Sequence, residues 1–388
     1  MIAERWQEVR RILAVRLDNL GDVLLATPAI HAIKTSLPEA EITLLAGPVG
    51  AQAGLLNPDL ADVIVYEAPW VDPWSRLPHD SERERRVIEA LRAEQFDAAV
   101  IFTSYRQSSL PAAYFCYLAD IPLRLAASID GPGSLLTTRH RHPDWPMHEV
   151  ERGLDLVGAV GFSTTETDLV LRVPLRASRR AKRWLASLSD PLKSARQDPL
   201  VVVHPGCSMP ARTYHLDQFK EVVALLADWF DAHVIVTGSD DERDLVAAIT
   251  DDLPLSIRGS VQPMAGDFSF AEFAALIQAA DLIVTNNTGP MHMASALKTP
   301  VVALFALTNP PEQWGPWRVP HRLLNHDVPC RICYSRICPF GHECLRLVSP
   351  EQVVSAAAEI LDACSTGASI DGSSKGSVPA FGPAAEVP

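Results

Sequence analysis

Short apolar runs alternate with longer amphipathic stretches along most of this chain. The runs RRILAVRL (10–17), EITLLA (41–46), DVIVY (62–66) and FDAAVIFT (96–103) are rich in Val, Ile and Leu, and each closes on polar or turn-forming residues. Their length and β-branched content predict buried strands. Helical patterns fall at 22–36, 80–94 and 148–160. Such alternation predicts an α/β fold with a mostly parallel, doubly wound sheet. The pattern stops near Val173 and restarts with PLVVVHPG (199–206), AHVIVTG (232–238), DLIVTNNTG (281–289) and PVVALFA (300–306), again separated by helical stretches.

The prediction is therefore two Rossmann-like domains, 1–175 and 199–364. A linker region, 176–198, opens with the basic amphipathic stretch RASRRAKRWLASL. Ligands are expected in a cleft between the domains, beyond the carboxyl ends of the strands. Residues 365–388 are rich in Gly, Ser, Pro and Ala, lack a periodic apolar face, and are expected to be disordered.

Composition narrows the function. The chain has 388 residues, 47% hydrophobic and 21% charged, enough for two cores. A net charge of −13 argues against nucleic acid as a partner and against strong attraction to an anionic membrane. Contact with a membrane surface should thus be transient at most. No apolar run is long enough to span a bilayer, and the N-terminus does not read as a secretory signal. The expected location is cytoplasmic, at most peripheral at the inner face of the cytoplasmic membrane. In that compartment seven cysteines point away from a disulfide framework.

Four strand-to-helix loops carry the candidate chemistry. After the first strand, DNLGD holds Asn19, Gly21 and Asp22. Gly21 permits the sharp exit. Asp22 reads both as a helix N-cap and as a carboxylate at the cleft mouth, able to take a proton from an acceptor hydroxyl; the two roles are compatible. The loop lacks G-x-G-x-x-G, which disfavours a nicotinamide dehydrogenase, and no Walker pattern occurs. In HPGCSMPAR (204–212), Gly206 allows close backbone approach, Ser208 can donate to a phosphate, and Arg212 offers a planar cationic fork. An ordinary exposed loop is the alternative. In TGSDDE (237–242), Gly238 turns the chain and Glu242 can accept from a ribose or base; Ser239 or Asp240 as a helix cap is the alternative. In NNTGPMH (286–292), Asn287, Thr288 and Gly289 precede a helix beginning near Pro290, whose free amides suit a diphosphate without a metal. His292 sits in its first turn, as a ligand contact or as a packed histidine.

Together these loops resemble glycosyltransferase family 9, the heptosyltransferase family of lipopolysaccharide inner-core synthesis. The resemblance is carried by LDNLGDVLLATPAI (17–30), HPGCSMPART (204–213), TGSDDE (237–242) and NTGPMHMASAL (287–297), with MHEVERGLDLVGAVG (147–161) at the end of the first domain. It implies a GT-B fold and an inverting, metal-independent transfer of a sugar. The donor would be ADP-heptose-like and held by the second domain. The acceptor, a hydroxyl on a lipid-linked glycan, would be held by the first. The implied base is Asp22, the phosphate-binding cation Arg212, the ribose-contacting acid Glu242, and the donor loop Asn287, Thr288, Gly289 and His292. Two departures bear on donor identity: Asn287 stands where the family carries Asp, and Tyr214 where it carries Trp. The competing readings are a GT-B nucleotide-sugar epimerase and a noncatalytic nucleotide-sugar-binding protein.

Two further segments stand apart. Cys330, Cys333, Cys338 and Cys344 follow C-x2-C-x4-C-x5-C spacing, with His342 inside it. Such a set can hold a structural Zn2+ or an iron–sulfur cluster, remain a reduced hairpin, or form redox disulfides. No cofactor is expected for catalysis itself. Arg106, Arg124, Arg139 and Arg141 are candidate contacts for an anionic acceptor, and 70–86 is either an acceptor lid or an exposed loop leading into a helix.

Overall fold

The structure is a computed structural model and describes residues 1–72, 74–188 and 198–366. Two six-stranded sheets form its frame. The first contains β1 (Arg11–Val15), β2 (Glu41–Ala46), β3 (Asp62–Val65), β4 (Ala98–Ile101), β5 (Leu123–Ala127) and β6 (Thr138–His140), in the order β3-β2-β1-β4-β5-β6. The second contains β7 (Leu200–His204), β8 (His233–Gly238), β9 (Val261–Ala265), β10 (Leu282–Asn286), β11 (Val301–Leu304) and β12 (His321–Leu324), in the order β12-β11-β10-β7-β8-β9. Neighbouring strands are parallel throughout both sheets. Read from its own first strand, each sheet has the order 3-2-1-4-5-6. This is the α/β, GT-B arrangement expected.

That order matters because it reverses once in each sheet, between β1 and β4 and between β7 and β10. Loops leaving the carboxyl ends of strands diverge at such a point and open a crevice. The loop after β1 carries Asp22, the loop after β7 carries Arg212, and the loop after β10 carries Asn287–Gly289.

All eight predicted strands are present. The four that periodicity does not reveal are β5, β6, β9 and β12. Three of these lie at sheet edges, where one side of the strand is open and an apolar run is not required. β6 reads TRH, β12 begins with His-Arg, and β9 contains Pro263, which an edge strand tolerates. β5 is interior but contains Arg124, whose guanidinium donates to the carbonyls of Leu135, Ser134 and Ile121. Arg124 is thus a buried brace for the following turn, which corrects its reading as an acceptor contact. Arg139 is similarly committed, to the carbonyls of Ser128 and Ile129.

The helices follow their apolar faces. Leu20–Ser36 buries nearly its whole circumference, because it packs on the first sheet, on helix Glu149–Gly158 and on helix Gly289–Leu297 of the second half. The cores of the two halves therefore run into each other, with Ile30 and Ile33 in the same apolar cluster as Met291 and Met293. A separate cluster fills the other face of the second sheet around Phe219, Leu226 and Ile360. The basic stretch after Val173 forms helix Leu175–Leu188, seating Ala177 and Ala181 against Ala275. The rest of the expected linker, 189–197, lies outside the described residues. Asp80 caps helix Ser81–Ala93, and Trp70 packs on Tyr66 and Phe115, so this part of 70–86 is a packed approach to a helix. The last helix, Pro350–Thr366, takes in Ser365 and Thr366, two residues beyond the boundary expected for the tail; 367–388 lie outside the described residues.

Phe219 is fully enclosed and meets Tyr214 edge-on at 5.2 Å between ring centroids. Phe219→Ala should cost about 3–5 kcal/mol through lost burial and the cavity left behind. Urea unfolding followed by near-UV circular dichroism would read this.

Candidate functional site

The site begins with a charge that the fold takes out of water. Arg16 follows β1 directly and its side chain is almost wholly buried. Three carboxylates surround it. Its Nε lies 3.1 Å from Asp18, and its Nη2 lies 3.0 Å from Asp22 and 3.7 Å from Glu149. Burial works against the guanidinium, but these acids more than offset it and hold its pKa above the ordinary arginine value.

Asp22 is fixed from both sides. Its Oδ1 accepts from Arg16 Nη2 and from Ser104 Oγ, each at 3.0 Å. Its Oδ2 accepts only a longer bond, 3.3 Å, from the backbone amide of Asn19. The N-cap of helix Leu20–Ser36 is thus Asn19, and Asp22 is the reciprocal third residue of a capping box. This corrects the reading of Asp22 as the cap itself. The capping bond leaves Oδ2 with spare acceptor capacity.

Residues that apolar periodicity passes over complete this half of the site. Ser104, Tyr105 and Gln107 come from the loop after β4. Gln107 donates to Asp18 at 2.6 Å, and the Tyr105 amide donates to Glu149 at 3.3 Å. Arg152, one helical turn beyond Glu149, reaches its Oε1 at 3.1 Å. Burial, partly opposed by Arg16 and Arg152, raises the Glu149 carboxyl to about 7. Arg16, Asp22, Phe102, His142, Glu149 and Arg152 line one cleft. Glu149 and Arg152 lie in the MHEVERG segment; the signal for Ser104 is only its place at the switch point.

The second half presents three loops, and glycine decides how they meet. A Cβ on Gly206 would fall 2.1 Å from Glu242 Oε1, so the bare backbone there makes room for that carboxylate. Glu242 also accepts from the Ser239 amide at 2.8 Å in a capping box, so the capping role read for Ser239 is present. Gly238, the last residue of β8, sits under the Glu242 side chain. Arg212 donates from Nε to Thr308 Oγ1 at 3.1 Å. Thr308 donates to Asn309 Oδ1 at 3.1 Å, and that oxygen also accepts from Asn287 Nδ2 at 3.1 Å. Arg212, Thr308, Asn309 and Asn287 therefore form one chain of hydrogen bonds. Thr308 and Asn309 were not legible beforehand, because they follow β11 in a stretch with no glycine signature. Ser208 is exposed.

The two halves touch at their helix starts. Thr288 holds the N-cap position of helix Gly289–Leu297 without a side-chain capping bond, and Pro290 lies in the first turn. A Cβ on Gly21 would lie 2.5 Å from Cδ2 of His292, and one on Gly289 would lie 2.6 Å from Cδ2 of Leu20. Each glycine thus admits a side chain from the opposite half. Burial lowers His292 to about 4 despite the nearby Asp22 carboxylate, so the ring is neutral near pH 7.

The cysteine-rich segment lies behind Arg212. The Ala211 amide donates to the Arg336 carbonyl at 3.0 Å, and the Tyr334 amide to the Thr308 carbonyl at 2.8 Å. Tyr334 also lies under Arg106, 4.5 Å from its guanidinium carbon, which brings this segment against the loop after β4. Cys330, Cys333, Cys338 and Cys344 line a single cavity with Leu307 and Phe340. Burial raises the thiols of Cys330 and Cys344. The sulfurs are not gathered into a set of three ligand atoms within 4.8 Å, as His140, His142 and Asp155 are among the described residues.

Comparison with known proteins identifies the family. The family model described as "Glycosyltransferase family 9 (heptosyltransferase)" matches residues 84–343. The chain belongs to glycosyltransferase family 9. It is a glycosyltransferase. It is 25% identical over 309 residues to lipopolysaccharide heptosyltransferase 3 of Escherichia coli K12, covering 76% of this chain and 82% of that protein. Among solved structures, a family 9 glycosyltransferase from Veillonella parvula superposes with a TM-score of 0.73 at 20% identity, covering 92% of this chain and 99% of the other. The ADP-heptose lipopolysaccharide heptosyltransferase II of E. coli superposes with a TM-score of 0.71 at 19% identity, with the same coverage. At these identities the superpositions establish the shared fold.

Two outcomes follow for this glycosyltransferase. Glu149, raised from 4.5 to about 7, binds its proton more tightly folded than unfolded. Its contribution to stability is therefore full below pH 4.5 and is lost as pH rises to about 7. Urea unfolding across that window should show Glu149→Gln gaining on wild type by up to about 3 kcal/mol. Gly21→Val should force His292 away and separate the helix starts; small-angle scattering would then report a larger radius of gyration than for wild type.

Proposed function

We propose that this glycosyltransferase moves a heptose-like sugar from an ADP-linked donor to a hydroxyl of a lipopolysaccharide-core-like acceptor, with inversion at the anomeric carbon. The observation that carries this is the Asp22 carboxylate, held by Arg16 and Ser104 beside the point where helix Gly289–Leu297 begins. The E. coli proteins named above support heptose as the sugar and ADP as the nucleotide.

In this reading the acceptor enters the cleft lined by Phe102, Glu149 and Arg152. Its hydroxyl gives its proton to Asp22 Oδ2, the oxygen with only the weak capping bond, as the hydroxyl oxygen attacks the anomeric carbon. The bond from that carbon to the diphosphate breaks on the opposite face, and the electron pair leaves with the diphosphate. The Gly289 amide, the positive end of the dipole of helix Gly289–Leu297 and the Arg212 guanidinium receive that charge. In this reading Ser208 and Asn19 also contact the substrates, and Glu242 takes the ribose. These groups supply the work that a divalent ion performs in other transferases, so no metal is required for the transfer. The enzyme would act in the cytoplasm, meeting its lipid-linked acceptor transiently at the inner face of the membrane.

Asp22→Asn preserves the capping shape but removes the base. Steady-state turnover with ADP-heptose and a core acceptor should fall by about 10²–10⁴-fold while donor affinity by calorimetry is unchanged. Turnover near wild type would remove Asp22 from this role. Arg212→Ala should instead weaken ADP binding, and ADP affinity is expected to be unchanged after chelation with EDTA.

A further inference from the structure

Beside the acceptor cleft lies a group of side chains that the transfer does not use. His140 ends β6, His142 follows two residues later, and Asp155 projects from helix Glu149–Gly158. Both imidazoles converge on the same carboxylate oxygen. His140 Nε2 is 2.6 Å and His142 Nδ1 2.7 Å from Asp155 Oδ2. Neither the fold nor the Asp22 chemistry calls for this convergence, since a single histidine would satisfy the carboxylate.

We propose that His140, His142 and Asp155 form a binding site for a late divalent transition ion, Zn2+ being the natural occupant. The donor set is two imidazoles and one carboxylate, borderline ligands that suit such ions better than Mg2+ or Ca2+. The three donor atoms already lie within 4.8 Å of one another. An ion bound at about 2.0–2.2 Å from each in tetrahedral geometry would separate neighbouring donors by roughly 3.4 Å, so the two hydrogen bonds would open by about 0.7 Å. Each imidazole would turn its lone pair to the ion and carry its proton on the other ring nitrogen.

The surrounding cations do not prevent this. The Arg152 guanidinium is paired with buried Glu149, and Arg139 is turned to the carbonyls of Ser128 and Ile129. Three protein ligands leave a coordination position open. His142 lines the same cleft as Asp22. The open position would therefore take an oxyanion or hydroxyl of whatever occupies that cleft, and the ion would orient it for the transfer without taking part in bond making.

The test must separate this site from the four cysteines, which also attract Zn2+. Chelator-treated full-length protein is titrated with Zn2+ by calorimetry, alongside His142→Ala, Asp155→Asn and the pair Cys330→Ser/Cys333→Ser. One equivalent should persist in the cysteine variant. It should lose affinity by roughly tenfold or more when His142 or Asp155 is changed. Co2+ added to the cysteine variant should give visible d–d bands without thiolate charge transfer. Asp155→Asn keeps the shape of the side chain, and its melting curve guards against misfolding. Unchanged Zn2+ affinity in Asp155→Asn, or a Zn2+ equivalent that disappears with the cysteines alone, would overturn the proposal.

Discussion

The arrangement depends on a contact between two helix starts that only glycine permits. Gly21 receives the ring of His292, and Gly289 receives the side chain of Leu20. A methyl group at either place would overlap the other half at under 3 Å. Because both helices follow the carboxyl ends of strands at a switch point, this contact sets two crevices face to face. Burial then keeps His292 neutral, so the ring adds bulk and polarity at the junction without adding charge.

The second constraint is electrostatic. A guanidinium as buried as that of Arg16 is stable only because Asp18, Asp22 and Glu149 surround it. The same arrangement makes the position of Asp22 a property of several elements at once: the end of β1, the loop after β4 and the helix bearing Glu149. A carboxylate held this way keeps its orientation without help from the ligand, which is what preorganisation requires.

Much of this was legible in the amino-acid sequence, and the failures have physical causes. Strands buried on both faces announce themselves through unbroken Val, Ile and Leu, as β1, β7 and β10 do. Edge strands such as β6 and β12 do not, since half of each faces away from the core. Asp22, Arg212 and Asn287 stand out because their loops follow such strands and contain glycine. Arg16 was hidden by its place in an apolar run, and Ser104 and Asn309 by loops with no local signature. Arg124 misled for the opposite reason: a charged residue suggests a surface, whereas the turn after β5 supplies enough carbonyls to bury it.

The hydrogen-bond chain from Arg212 to Asn287 has an evolutionary consequence. Asn309 Oδ1 serves two donors, Thr308 and Asn287, so residue 287 must present an N–H to it. Replacing Asn287 by aspartate would set two oxygens against each other. The amide of Asn309 would have to turn over, and Thr308 would lose its acceptor, disturbing the hydroxyl that steadies Arg212. Positions 287 and 309 should therefore drift in concert, so that an ancestor bearing an acid at one would have needed a different partner at the other.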